Sequence, residues 1–253
     1  MSKINHKGII LAGGSGTRLH PLTKVVSKQL LPVYDMPMVY YPLKILIKAG
    51  IKEFLVISNP ENIDYYKILL EDGSQFNVKI NYEIQQKPEG IAQAFKIGKD
   101  WLNNNPVVLI LGDNLFLGGD ISNKIRSSLL ENSGATIFGY KVRDPSRYGV
   151  VNFDADNNVL SIEEKPSTPK SNWAVTGLYI YDNDVVNYVD KITPSDRGEL
   201  EITDINNIYL KESRIRIKLI DEKSYWLDAG TKESLLEASN IVKSLLDKNI
   251  SLF

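Results

Sequence analysis

The stretch Gly8-Ile9-Ile10-Leu11-Ala12-Gly13-Gly14-Ser15-Gly16-Thr17-Arg18-Leu19 decides how the rest of the chain is read. A short apolar run that stops at clustered glycines predicts a buried strand, Gly8–Ala12, entering a tight loop. With no side chains at Gly13, Gly14 and Gly16, backbone N–H groups can close on an anion, and such turns form phosphate-binding concavities. Arg18 adds a permanently charged fork suited to phosphate oxygens. The glycines alone are equally compatible with a plain strand-to-helix turn; Arg18 tips the reading toward phosphate. Two familiar phosphate motifs are absent. A Walker loop needs Gly-Lys-Ser/Thr after four intervening residues, and the dinucleotide fingerprint needs glycine where Leu19 stands.

Outward from this strand, apolar runs and helical patterns alternate. Pro37 opens a helical stretch, Met38–Ile47, that Gly50 closes, with Pro42 arguing for a kink or a later start. Strands follow at Phe54–Ile57, Lys79–Ile84 and Val107–Leu111, with helices at Ile63–Leu70 and Ile91–Leu102. That alternation predicts an α/β fold, a Rossmann-like doubly wound, mixed but mostly parallel sheet. Beyond about residue 134 the pattern turns β-rich. Ala135–Val142, Tyr148–Phe153, Val159–Glu163, Trp173–Tyr181 and Ile215–Ile220 read as strands, and Asp154–Asn158 as a hairpin turn. Helices are expected at Asp184–Val189, Glu201–Lys211 and Lys232–Leu246. No repeat or linker marks a second independent domain.

Composition narrows the chemistry. The 253 residues carry 30 Lys+Arg against 31 Asp+Glu, a net charge of −1, so no global basic field exists to hold a nucleic-acid backbone. There is no cysteine and there are two histidines, which excludes disulfides, thiolate catalysis, iron–sulfur clusters, cysteine-ligated zinc and a multi-histidine metal site. No run is long enough to span a bilayer, and the apolar run after Lys3, His6 and Lys7 is too short for a signal peptide. The expectation is a cytoplasmic protein that binds neither membrane nor nucleic acid. Its chemistry must come from carboxylates, Lys, Arg, hydroxyls and the backbone.

Gly112-Asp113-Asn114 follows the apolar strand 107–111 directly, so Asp113 stands where ligands gather in open α/β sheets, at the carboxyl end of a strand. Asp228, in Trp226-Leu227-Asp228-Ala229-Gly230, is a second carboxylate between a strand and a helix. Two carboxylates suit a hard divalent cation such as Mg²⁺; a turn or helix-capping role is the alternative for each. Lys28, in an apolar-flanked loop beyond Arg18, is either a solvated charge or a second cation for a polyphosphate. Glu163-Glu164-Lys165-Pro166 reads on its own as a charged edge strand, with a sugar or phosphate contact as the alternative. Arg147-Tyr148-Gly149, Val175-Thr176-Gly177 and Arg197-Gly198-Glu199-Leu200-Glu201 are suggestive, but each is equally a turn or core segment.

Taken together, Leu11–Leu19, Lys28, Gly112–Asn114, Glu163–Pro166 and Trp226–Gly230 resemble the sugar-1-phosphate nucleotidyltransferases over nearly the whole chain. The stretches 27–35, 90–95, 175–179 and 197–204 are most similar to the glucose-1-phosphate thymidylyltransferases among them. The resemblance implies one nucleotidyltransferase domain, 1–253, of the nucleotide-diphospho-sugar transferase type, with a nucleotide half (1–134) and a sugar half (135–253). It implies attack of a glucose 1-phosphate oxygen on the α-phosphorus of dTTP, with loss of pyrophosphate, and Mg²⁺ held by Asp113 and Asp228. By the same resemblance the catalytic set is Arg18, Lys28, Asp113, Lys165 and Asp228. The nucleotide would meet Leu11, Gly13, Gly14, Ser15, Gly16, Thr17, Arg18, Lys28, Gln29, Gln85, Pro88 and Gly90. The sugar phosphate would meet Asn114, Tyr148, Gly149, Glu164, Lys165 and Val175.

The resemblance also implies a product feeding dTDP-rhamnose or related deoxysugars, and a homo-oligomer, tetramer or dimer. Ala229 departs from the family's frequent threonine after the second aspartate. Longer members continue past the position of Phe253 with a helical extension that contributes to a subunit interface and a secondary regulatory site. The same chemistry with UTP is the nearest rival. A non-catalytic nucleotide-sugar sensor would be expected to have lost a phosphate cation or a metal carboxylate, and Arg18, Lys28, Asp113, Lys165 and Asp228 are all present. Because the nucleophile is already an ionised phosphate oxygen, no general base is required; alignment and charge neutralisation carry the reaction.

Overall fold

A computed structural model describes residues 5–14, 16–131 and 133–253. The strands are β1 (Lys7–Leu11), β2 (Pro32–Val33), β3 (Met36–Pro37), β4 (Glu53–Ser58), β5 (Lys79–Ile84), β6 (Val107–Leu111), β7 (Asn114–Gly118), β8 (Ala135–Lys141), β9 (Gly149–Phe153), β10 (Val159–Glu164), β11 (Trp173–Tyr181), β12 (Ile215–Leu219) and β13 (Ser224–Asp228). The helices are α1 (Tyr40–Ala49), α2 (Ile63–Leu70), α3 (Gln93–Ile97), α4 (Lys99–Leu102), α5 (Ile121–Glu131), α6 (Val185–Tyr188), α7 (Ile202–Lys211) and α8 (Lys232–Asp247).

β1 lies at the centre of a nine-stranded sheet, parallel to β4 on one side and β6 on the other, with β5 parallel beyond β4. Side chains of successive β1 residues enter opposite cores. Ile9 and Leu11 pack with Phe95, Leu109 and Tyr181, whereas Ile10 and Ala12 pack with Leu43, Leu46 and Phe116. A strand covered by helices on both faces must be apolar at every position, which is why Ile9-Ile10-Leu11 shows no alternation. The chain leaves β1 toward β4 and later returns to β1's other edge as β6. The C-terminal ends of β1 and β6 therefore open onto the crevice expected where strand order reverses.

β11 extends the sheet antiparallel to β6 and then forks it. Leu178–Tyr181 pair with Ile110–Val107, while Ala174 pairs with Val150 of β9. β8 and then β12 line β11's other edge, and β10 closes the β9 side. β6 ends at Leu111 and β9 begins at Gly149, so Val175–Gly177 face the gap between them. A separate ribbon pairs β13 with β7 antiparallel, placing Asp228 opposite Asn114. α8 packs its Ala238, Val242 and Leu245 on this ribbon through Leu115 and Leu117.

The doubly wound plan is observed, its central strands parallel and its outer ones mostly antiparallel. Three local readings differ. Pro37 does not open a helix but ends the β2–β3 ribbon; α1 starts at Tyr40, leaving Pro42 in the first turn, where its missing N–H costs nothing. Gly50 does end α1, at φ +111, its N–H donating to the carbonyls of Leu46 and Ile47. The helix expected over Ile91–Leu102 is two short ones, α3 and α4, meeting at Gly98. A Cβ there would lie 3.2 Å from both Ile9 and Leu55, so the break brings backbone down onto the sheet. β7 and α5 fall in a region where the sequence suggested no element.

Candidate active site

Two adjoining cavities occupy the crevice. The smaller, about 200 Å³, is lined by Leu11, Gly13, Gly14, Gln29, Gln85, Pro88 and Gly90, with Ile91, Leu111, Asp113 and Glu199. The larger, about 410 Å³, takes Arg18, Asp113 and Asp228 together with Asn114, Tyr148, Gly149, Glu164, Lys165 and Val175. Asp113, Leu111, Ile91 and Glu199 line both, so the two form one cleft with these residues at the join. Leu11, Gly13, Gly14, Gln29, Gln85, Pro88 and Gly90, expected around a nucleotide, line the smaller chamber, whereas Arg18, expected with them, lines the larger one beside the residues expected around a sugar. Gly16, Thr17 and Lys28 line neither, and Ser15 lies outside the described residues.

The carboxylates meet because of the β7–β13 ribbon. Asp113 ends the turn after β6, Asp228 is the last residue of β13, and Ala229 N–H donates to the Asp113 carbonyl at 3.2 Å. Asp113 is gripped at both oxygens. Lys28 Nζ is ion-paired with Oδ2, and Asn114 Nδ2 donates to Oδ1 at 3.0 Å. Burial alone would raise the Asp113 pKa; the Lys28 ammonium and these hydrogen bonds more than offset it and hold Asp113 below the usual carboxylate range. Asp228 moves the other way. Burial, then the negative charge on Asp113, push it up against the pull of Lys28, Arg18 and Arg147. Arg18 reaches the same place from the glycine-rich turn. A Cβ on Gly230 would sit 3.1 Å from Arg18 Nη2 and 3.1 Å from Asp228 Oδ1, so both groups lie close over this glycine.

Asn114 is the hub of the larger chamber. Its Oδ1 accepts from Trp226 Nε1 at 2.7 Å and from Gly177 N–H at 3.0 Å, while Nδ2 serves Asp113. It lines the cavity, but most of its hydrogen-bonding capacity is committed to aligning Asp113, β11 and β13. Opposite, Glu164 Oε2 accepts from Thr203 Oγ1 at 2.7 Å, and Arg197 reaches Glu164 at 3.3 Å and Glu201 at 2.8 Å. Lys165 leaves β10 at φ +41, a conformation a lysine seldom adopts, with Nζ 3.7 Å from Glu164.

Arg147, Arg197, Glu199, Glu201, Thr203 and Trp226 line the larger chamber without having been assigned to the site from the sequence. In the sequence the Arg197–Glu201 segment stands out without a role. Its signal was the charge-rich run Arg197-Gly198-Glu199 before a helix, which a solvated turn would share.

Residues 7–244 match the nucleotidyl transferase family, and the chain belongs to it. Among its relatives, the glucose-1-phosphate thymidylyltransferase of Neisseria gonorrhoeae is 52% identical over 94% of this chain and 83% of its own length. That of Mycolicibacterium smegmatis is 53% identical over the same shares. A crystal structure described as a glucose-1-phosphate thymidylyltransferase of Bacillus anthracis in complex with sucrose superposes with a TM-score of 0.87 at 42% identity, covering 94% of this chain and 95% of that one. A UDP-glucose pyrophosphorylase complexed with UDP-glucose superposes at 0.84 with 25% identity, covering 95% and 99%.

Proposed function

We propose that this chain transfers a thymidylyl group from dTTP to glucose 1-phosphate, giving dTDP-glucose and pyrophosphate. The observation that carries the reading is the two-chambered cleft joined at Asp113, with Arg18 and Lys28 converging on the join. Triphosphate and sugar phosphate would meet there, tail to tail. A phosphate oxygen of glucose 1-phosphate forms the new P–O bond to the α-phosphorus, the bond to the β-phosphate oxygen breaks, and pyrophosphate departs with that electron pair. No proton moves in this step. The chain's task is to hold the two phosphates in line and to neutralise their charge.

Arg18 and Lys28 would face the triphosphate and the departing pyrophosphate, Lys165 the sugar phosphate. Gln85 and the Gly90 backbone would meet the base edge, and Tyr148, Gly149, Glu164 and Val175 the sugar. Asp113 and Asp228 offer only oxygen donors, as Mg²⁺ prefers, and would hold it. Among the described residues no group of three or more His, Cys, Asp or Glu side chains could bind a metal unaided, so substrate phosphates would complete the ligand set. When bound, the ion would supply further neutralisation of phosphate charge.

No helix among the described residues is long and apolar enough to cross a membrane. We place the enzyme in the cytoplasm, as a homo-oligomer, with its product used for dTDP-rhamnose or related deoxysugars. Pyrophosphate release with glucose 1-phosphate, comparing dTTP, UTP, CTP, ATP and GTP, tests the reading. Release greatest with dTTP, dependent on the sugar phosphate and lost in EDTA, is expected. Greater release with UTP would keep the reaction and move the base preference; no release with any nucleotide would overturn it.

A further inference from the structure

Gln93, the first residue of α3, does not line the smaller chamber but touches Gln85, which does. It joins Gln85 and Glu89 in a chain of three side chains. Gln85 Nε2 donates to Gln93 Oε1 at 2.6 Å, and Gln93 Nε2 donates to Glu89 Oε2 at 2.8 Å. The Glu89 backbone N–H also donates to Gln93 Oε1, at 3.2 Å.

The two ends of an amide are nearly the same shape, so hydrogen-bond partners decide its orientation. Here the Glu89 carboxylate sets it: a carboxylate can only accept, so it takes the Gln93 nitrogen. The Gln93 oxygen is left facing Gln85 Nε2 and the Glu89 N–H, which it shares with the Lys87 carbonyl at 2.9 Å. With that oxygen fixed, Gln85 can answer only with its own Nε2, which leaves Gln85 Oε1 on the chamber side. Oε1 lies against the glycine-rich turn, where a Cβ on Gly13 would fall 2.6 Å from it. The anchor is itself held, because Leu200 N–H donates to the Glu89 carbonyl at 2.7 Å. Gln85 is 4% exposed, so an amide turned the wrong way would bury unmatched groups.

We infer that Gln93, oriented by Glu89, is a positioning residue that locks the Gln85 amide with its acceptor toward the base, selecting pyrimidines that carry a ring N–H. This rests on the reading of the smaller chamber as the base site. Thymine and uracil carry a hydrogen on N3 that Oε1 can accept. Cytosine has a lone pair there, which would face Oε1 acceptor to acceptor. The relay excludes cytosine and does not separate thymine from uracil.

The test compares dTTP with dCTP, each as substrate and as competing ligand, in the intact protein. Gln93→Met keeps the side-chain length and removes the relay. It is expected to raise the KM for dTTP about tenfold with kcat within about threefold, and to lower the dTTP:dCTP preference by about tenfold or more. Gln93→Glu alone still offers Gln85 Nε2 only acceptors, so it should keep most of the dTTP:dCTP preference that Gln93→Met loses. The reciprocal pair Glu89→Gln/Gln93→Glu restores the bond to residue 89 as well and should keep the preference and the KM for dTTP together. An equal rise in KM for both nucleotides in Gln93→Met, a loss confined to kcat, or a Gln93→Glu variant as unselective as Gln93→Met would overturn the relay. Gln85→Met separates this from the underlying reading: an unchanged KM for dTTP in that variant would mean the base does not bind here at all.

Discussion

Lys28 and Asp113 form an ion pair at the junction of the two chambers, with side chains only 13% and 16% exposed. Removing one member of such a pair leaves the other charge with little water to replace it. Asp113→Asn keeps the shape but only one acceptor oxygen for Lys28 and Asn114, so it should lower stability about as much as loss of Lys28 does, while the folded structure persists and alignment of the phosphates fails. Turnover measured by pyrophosphate release is expected to fall about 100-fold or more, with an unchanged circular dichroism spectrum. Near-normal turnover would sink the role given to this carboxylate. Lys28→Met leaves Asp113 without its cation, and is expected to destabilise the fold by about 3 kcal/mol in urea titration as well as impair turnover.

Asn114 offers a sharper separation of structure from chemistry. Asn114→Leu would strand the Trp226 indole N–H and the Gly177 N–H in a buried setting and release Asp113 Oδ1. A loss of about 2–4 kcal/mol in unfolding free energy is expected. Trp226→Phe leaves Asn114 Oδ1 bonded to Gly177 but removes one donor and part of a buried ring packed on Tyr140 and Tyr148, so about 2 kcal/mol is expected. A loss in Asn114→Leu smaller than that in Trp226→Phe would contradict the hub described for Asn114.

Much of this architecture is legible in the sequence because its signals are local. The unalternating Ile9-Ile10-Leu11 and Val107–Leu111 runs require helices on both faces, and Asp113 follows from standing at a strand's carboxyl end. What pairs distant segments is not local. Nothing in Trp226-Leu227-Asp228 announces that it lies against Asn114-Leu115-Phe116, since register emerges only when α8 covers both strands. The fork in β11 is hidden for the same reason, so Thr176 and Gly177 look like ordinary strand residues. The Arg197–Glu201 segment reads as a solvated turn until Leu200 is seen bonded to Glu89 and Ala92. Gln93 gave no chemical signal of its own, because its role lies in the partners at either end of its amide.

Gly90 ties the base-side loop to that segment. It sits at φ +103, and a Cβ would fall 2.4 Å from the Leu200 carbonyl oxygen and 2.5 Å from its nitrogen. Both obstacles are backbone, so neither can swing aside. Gly90→Ala should push the 88–92 and 198–201 segments apart and, because Glu199 lines both chambers, raise the KM for dTTP and for glucose 1-phosphate together. Gly13→Ala meets only the Gln85 amide, at 2.6 Å from its Oε1, and by displacing it should raise the KM for dTTP while sparing that for the sugar phosphate. Steady-state kinetics with each substrate varied in turn distinguishes the two patterns.

His6 precedes β1 and is 6% exposed, and its Nδ1 has no hydrogen-bond partner among the described residues. Burial lowers its pKa from 6.5 to about 4, so the folded protein holds it neutral where the unfolded chain would protonate it. The sign follows. Stability is complete above pH 6.5, falls as the pH drops from 6.5 toward 4, and falls no further through this group below that. Between pH 7.5 and pH 5.0 the loss from His6 alone should be about 2 kcal/mol. His6→Gln, uncharged at both values, removes this slope and leaves the contributions of the carboxylates in place. The difference between the unfolding free energies of the two proteins, measured in urea at each pH, isolates the histidine. A difference that does not change between pH 7.5 and pH 5.0 would show that His6 is protonated as readily in the folded chain as in the unfolded one.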